Sequence, residues 1–126
     1  MNIPIWTASQ SQRSSVNSEI IEGDKVAESF SKIMIGDFIM SISRKMGDKL
    51  GNTARIHIIK NRFGPDGITF PASVNFVEGK FNIFDENSAE GIRVKRQMQG
   101  GEDAVKQQLH KKMYDLNFSK EKEERE

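Results

Sequence analysis

Two cations stand two residues apart near the middle of the chain, Lys60 and Arg62, in the run Lys60-Asn61-Arg62-Phe63-Gly64-Pro65-Asp66-Gly67. At the end of a strand the period of two sends both side chains the same way. Pro65 presets its own φ, and Asp66 and Gly67 tolerate the positive φ of a tight reversal, so the turn would hold the pair in place. Two cations fixed in this manner suit a phosphoryl group, whose transition state spreads negative charge over its equatorial oxygens. A second candidate is Ser9-Gln10-Ser11-Gln12-Arg13, where a predicted strand ends in amides and a guanidinium that can hydrogen-bond phosphate oxygens or a water poised for attack. The window from Arg44 to Arg62 also holds six basic residues, Arg44, Lys45, Lys49, Arg55, Lys60 and Arg62, against Asp48 alone. Such a patch favours phosphates, and without clustered aromatics any nucleic-acid contact there would be to backbone.

Other chemistries find no support. The sequence has no Gly-x-x-x-x-Gly-Lys-Ser/Thr loop, no Gly-x-Gly-x-x-Gly, no Gly-x-Ser-x-Gly and no His-Glu-x-x-His. The histidines, His57 and His110, fall in different elements, and neither is assigned a metal. Asp85-Glu86-Asn87 begins like a calcium loop, but its glycine comes late, at Gly91, and Arg96 stands where a bidentate Glu is needed.

The elements that must position these groups follow from hydropathy spacing. Ile3 to Ser9 is short, apolar and β-branched and predicts a buried strand, feeding a polar loop from Gln10 to about Asp24. Val26, Ala27, Phe30, Ile33 and Met34, spaced three and four apart, predict an amphipathic helix that Gly36 stops. Strands are predicted at 37–44, 54–60, 69–76 and 80–84, with a polar loop at 45–53 and a glycine turn at Val77-Glu78-Gly79. Gly100-Gly101 predicts a break. Ala104, Val105, Leu109, Met113 and Leu116 then predict one weak helix, able to dock a partner, before a solvated charged tail from Ser119. The first strand-helix-strand passage points to a parallel α/β element and the later short turns to an antiparallel extension at a sheet edge. A few strands and one packed helix would leave a sheet face uncovered, so a partner is expected.

With 126 residues, 19 Lys+Arg against 18 Asp+Glu, 36% hydrophobic and 29% charged residues, the chain fits one small globular domain and excludes a large multidomain enzyme. The absence of cysteine removes disulfides, thiolate nucleophiles and Cys-based metal sites, and points to a reducing cytosol. Gly36-Asp37 splits the best apolar run, Ile33 to Met40, so no membrane span is expected, and the N-terminus does not read as a secretory leader.

Three ordered blocks carry a resemblance: Ala8-Ser9-Gln10-Ser11-Gln12-Arg13; Ala27-Glu28-Ser29 leading to Gly36-Asp37-Phe38-Ile39; and Ile58-Ile59-Lys60-Asn61-Arg62-Phe63-Gly64-Pro65-Asp66-Gly67. Over about residues 3–84 the chain resembles the C-terminal half of the ATPase domain of DnaB-type (superfamily 4) replicative helicases, especially phage-like members. The resemblance implies a RecA-like α/β core, parallel strands with an antiparallel edge, working as a ring hexamer that hydrolyses ATP with Mg between subunits and draws single-stranded DNA through its centre. It gives Gln10 the sensing of the γ-phosphate, and Lys60 and Arg62 the trans-acting contact with the neighbouring subunit's nucleotide, Arg62 being the arginine finger. Gly64, Pro65 and Gly67 would hold that pair. Gln12, Arg13, Ser14, Ser15 and Asn17 would face DNA. The family's phosphate loop, catalytic glutamate and metal-holding aspartate would lie upstream of these blocks. On this reading residues 1–85 form part of the ATPase domain and 86–126 an extension. The chain would not be competent alone and would bind no ATP or Mg by itself. Its partners would be neighbouring helicase subunits, the missing N-terminal ATPase half and a primase or helicase loader, in the cytosol of a bacterium or a phage-infected cell.

Two alternatives stay open from the residues. A RecA-type recombinase fragment shares the core and a DNA loop after the same strand, although Lys-x-Arg followed by Gly-Pro-x-Gly favours a helicase. A non-enzymatic adaptor would use the basic face and the helix around 104–116 to bind nucleic acid or a replication protein.

Overall fold

The computed structural model describes residues 2–10, 19–21 and 30–125. A short helix α1 (Phe30–Ile35) leads into strand β1 (Phe38–Ser43), helix α2 (Met46–Gly51), strands β2 (Thr53–Asn61), β3 (Thr69–Asn75) and β4 (Lys80–Ile83), and a 36-residue helix α3 (Ala89–Glu124). The strands form one curled sheet in the order β1-β2-β3-β4, every neighbouring pair antiparallel.

This corrects the expected RecA-like α/β core, because the sheet has no parallel strands. The connections explain why. A parallel pair needs a crossover of a dozen or more residues. Here the segment between β1 and β2 holds only the six-residue α2, and β2–β3 and β3–β4 are joined by turns. The strand expected at Ile3 to Ser9, which would have opened the parallel unit, is absent: residues 2–10 are irregular, with Ile3, Ile5 and Trp6 exposed. An apolar run becomes a strand only where a neighbour takes up its N–H and C=O groups, and Pro4 removes one donor. Of the helix expected before Gly36, residues 22–29 lie outside the described residues.

Register sorts the strand residues onto two faces. Phe38, Met40 and Ile42 share a face with Ala54, Ile56 and Ile58, then Phe70, Ala72 and Val74, then Phe81 and Ile83. The middle of this face is the core: Ala54, Ile56, Ile58, Ala72 and Val74 are buried, with Phe70 packed against them. The rims are not buried, since Phe38, Met40, Ile42, Phe81 and Ile83 are each 40–52% exposed. The opposite face carries Ser41, Ser43, Thr53, Arg55, His57, Thr69 and Pro71. Helices α2 and α3 pack on that side, through Asp48 to Arg55 and Thr53, and through Glu102 to Arg55.

Local chemistry sets the helix ends. The Asp48 carboxylate accepts from the Lys45 backbone N–H at 2.7 Å, satisfying a donor at the start of α2, and Asn52 closes the helix in the left-handed region at φ 52°. That carboxylate turns the expected loop at 45–53 into a helix. Ser88 caps α3, its Oγ accepting from Gly91 N at 3.0 Å. α3 then passes through Gly100-Gly101, where a break was expected, because the glycines mark a helix crossing: a methyl at Gly101 would fall on the Gly47 carbonyl, and one at Gly47 would stand 2.7 Å from Glu102 N. The helix continues to Glu124 through the segment expected as a solvated tail.

Candidate functional site

Lys60 and Arg62 lie at the free end of the β2–β3 turn. A register shift between Ile39 and Met40 governs where they point. Met40 faces Ile58, but Ile39 faces Lys60, so Ile59 is the extra residue of a bulge. Unbroken alternation would have put Lys60 with Ile56 and Ile58 on the apolar face. The bulge moves it beside Ile39, onto the polar face, and Arg62 follows with its backbone N–H donating to Asp37 O at 2.9 Å.

Asn61 organises the turn between them. Its Oδ1 accepts from Phe63 N at 3.1 Å and its Nδ2 donates to Pro65 O at 3.3 Å. Gly67 adopts φ 71°, open to glycine without strain, and its N–H donates to Ile58 O at 2.8 Å, tying the turn back to the strand. Gly64 sits 3.0 Å, measured from where a Cβ would stand, from Asn61 Nδ2, so a side chain there would press on the same amide.

Both cations have partners within the chain. Lys60 Nζ donates to the carbonyls of Ile33 (2.9 Å) and Met34 (3.2 Å) at the end of α1, where a positive charge is favourable. Arg62 pairs with Asp37 at 2.5 Å, and the two side chains are 55% and 56% exposed. An ion pair so exposed is worth about 0–1 kcal/mol, which leaves Arg62 easily drawn to a stronger anion.

The remaining candidates separate from this pair. Gln10 is exposed in the irregular N-terminal segment, and among the described residues no hydrogen bond joins it to Lys60 or Arg62. Gln12, Arg13, Ser14, Ser15 and Asn17, expected to face DNA, lie outside the described residues. His57 shares a 2.9 Å hydrogen bond with Thr69 Oγ1, a cross-strand contact. Among the described residues no group of three or more His, Asp or Glu is placed to hold a metal ion, and no helix is long and apolar enough to cross a membrane.

Three of the six basic residues of the window, Lys45, Arg55 and Arg62, are paired with carboxylates, which sequence reasoning missed. Arg55 is nearly buried, its guanidinium against the fully buried Asp48, 3.3 Å from Glu102 and 3.6 Å from Glu19. Lys45 reaches the same two glutamates at 3.4 and 3.6 Å. Thr53 Oγ1 donates to Asp48 Oδ1 at 3.2 Å. Arg44 donates to Thr53 O at 3.0 Å and lies 4.7 Å over the Phe76 ring. The signal available in the sequence was Asp48 itself, the one acid in a basic stretch, whose neighbours were more economically read as its partners than as a phosphate-binding surface. No protein-family model matches this chain, and neither a curated protein nor a solved structure shows significant similarity to it.

Proposed function

We propose that this chain is one part of a DnaB-type, ATP-driven DNA helicase acting on single-stranded DNA, and that it delivers Lys60 and Arg62 in trans to the phosphates of a nucleotide held by another polypeptide. The observation that carries this reading is the Asn61-centred turn, beside which Lys60 is held by two backbone carbonyls and Arg62 by one exposed, displaceable carboxylate. Two lone basic side chains would not suffice. A bulge that re-aims Lys60, an amide that braces the turn from inside, and a glycine at φ 71° together spend three local features on placing that pair.

Nothing in this reading draws on a RecA-like core in this chain, whose sheet is antiparallel throughout. The phosphate loop, the catalytic acid and the Mg ion would stand on the subunit that binds the ATP. The apolar rims of the sheet, Phe38, Met40 and Ile42 on one edge strand and Phe81 and Ile83 on the other, lie on the face opposite Lys60 and suit a further contact in the assembly, apart from the one that meets the nucleotide. In the working assembly Arg62 would leave Asp37 for the developing charge on the transferred phosphoryl group, with Lys60 beside it as a second point charge. The compartment that fits is a bacterial or phage-infected cytosol.

The test is ATP turnover by a phosphate-loop-bearing DnaB-type half from the same genome, with and without this chain. Addition of the chain is expected to raise turnover. Arg62→Ala is expected to abolish the gain, a loss of about 10³-fold or more, while nucleotide binding persists. Asn61→Ala, which frees the turn without removing a cation, is expected to cost part of the same gain. Full turnover with Arg62→Ala overturns the finger assignment. Salt-dependent DNA binding by this chain alone, indifferent to nucleotide and to the other half, would favour a non-enzymatic adaptor instead.

A further inference from the structure

Among the described residues, the distal half of α3 has no partner in its own chain. The buried residues of the helix, Gly91, Val94, Met98 and Gly101, all lie in its first half. Beyond the crossing with α2, residues 104–124 project about 30 Å at 1.5 Å per residue. Leu109, Met113 and Leu116 are 56–64% exposed there, and with the half-buried Val105 they fall on one stripe of the helix. Asp115, Asn117, Phe118 and Ser119 are mediocre helix formers, and most helical stability in proteins comes from packing an apolar face. A stripe on such a segment calls for something to cover it.

The charges along the stripe say what. Glu102, Leu109, Leu116 and Glu123 repeat every seven residues, and beside them so do Lys106, Met113 and Lys120. Pairing two copies in parallel and in register would set Lys106, Lys120 and Glu123 each against its own counterpart, like charge on like charge. An antiparallel pair that sets Met113 opposite the partner's Leu116 removes every one of these. Lys106 then stands opposite the partner's Glu123, and Leu109 opposite the aliphatic stem of the partner's Lys120. Each contact occurs twice by the two-fold symmetry.

We infer that the distal half of α3 is a self-association element, pairing antiparallel with the same segment of a second copy of this chain through Leu109, Met113 and Leu116. The contact is independent of Lys60 and Arg62, which lie on the sheet, so it stands or falls apart from the phosphate-contact reading.

Sedimentation equilibrium of the full chain is expected to give twice the 14.3 kDa chain mass. The double variant Met113→Glu/Leu116→Glu, both at exposed positions, is expected to sediment as a single chain. Lys106→Glu is expected to weaken the pair about tenfold, and Lys106→Glu with Glu123→Lys to restore it. Because the chain has no cysteine, orientation can be read directly. Mixed Lys106→Cys and Glu123→Cys chains are expected to form a disulfide under mild oxidation, whereas Lys106→Cys alone is not, since its two copies would lie about 25 Å apart along the helix. Single-chain mass up to the solubility limit overturns the proposal. So does a dimer that survives the double glutamate variant, which would place the contact elsewhere, or ready self-linking of Lys106→Cys, which would make the pair parallel.

Discussion

Asp48→Ala is expected to lower the unfolding free energy by about 3–5 kcal/mol, a large share of what a domain of this size possesses. Asp48 is completely buried and serves three groups at once: the Arg55 guanidinium, the Thr53 hydroxyl and the Lys45 backbone N–H. Removing the carboxylate leaves a nearly buried guanidinium with only its longer contacts to Glu102 and Glu19, the Lys45 N–H without its acceptor, and the Thr53 hydroxyl with only the residue-48 backbone carbonyl at 3.5 Å. The cost is therefore the desolvation of what remains and not the lost attraction alone. This gives the prediction a sharp second half. Asp48→Ala combined with Arg55→Met is expected to recover much of the loss, because the unpaired charge goes with its partner and Lys45 remains to hold Glu102. Urea unfolding of the four proteins of that cycle, at one protein concentration, measures both effects. A single variant within about 1 kcal/mol of wild type, or a double variant as weak as the sum of the singles, would show that the network does not hold α2 to the sheet.

That network also marks the limit of what the sequence could convey. The four observed strands fall within a residue or two of the runs expected from alternation and turn chemistry, because the aliphatic residues of β2 and β3 alternate onto one buried face and the turns at 63–67 and 77–79 carry the glycines their φ values require. The parallel opening element was misjudged, while the antiparallel pairing expected of the later strands is present. Ile3 to Ser9 was read as a strand from its own residues, yet a strand exists only with a ladder partner, and local sequence does not contain one. The resemblance then supplied a parallel core that the short connections exclude. At 100–101 the glycines were read as backbone freedom, whereas in the fold they are the absence of Cβ where two helices touch. One residue type has both meanings, and only the tertiary contact tells them apart.

The candidate site was legible in a different proportion. Period two sends Lys60 and Arg62 the same way, and the bulge at Ile59, just before them, decides which way that is. Without it Lys60 would enter the apolar face. Nothing in Ile58-Ile59 announces a bulge, since both residues suit an unbroken strand. The basic window misled for a simpler reason. Counting charges along the chain ignores acids that arrive from elsewhere, and Glu19 and Glu102 come from segments some 36 and 47 residues away from Arg55. Part of a patch that is strongly positive in sequence, Lys45 and Arg55, is an ion-pair network in space.

The glycine pair offers the sharpest discrimination, because two adjacent residues in one helix are expected to respond with opposite signs. Each costs α3 roughly 0.5–1 kcal/mol relative to alanine in backbone entropy. At Gly100 nothing lies within 4 Å of the position a Cβ would take, so Gly100→Ala is expected to stabilise by about that amount. At Gly101 the same methyl would fall on the backbone carbonyl of Gly47, an atom that cannot swing aside as a side-chain end could. The helices must separate, loosening the contact that also brings Glu102 to Arg55 and Lys45. Overpacking of this kind costs typically 1–3 kcal/mol, and more where backbone is the obstacle, so Gly101→Ala is expected to destabilise despite the better helix former. Gly101→Val should do so severely, with the far-ultraviolet helix signal falling on mild heating while Gly100→Ala keeps it. If both alanine variants stabilise alike, α2 and α3 do not cross at Gly47 and Gly101, and the placement of Glu102 over the polar face of the sheet fails with that crossing.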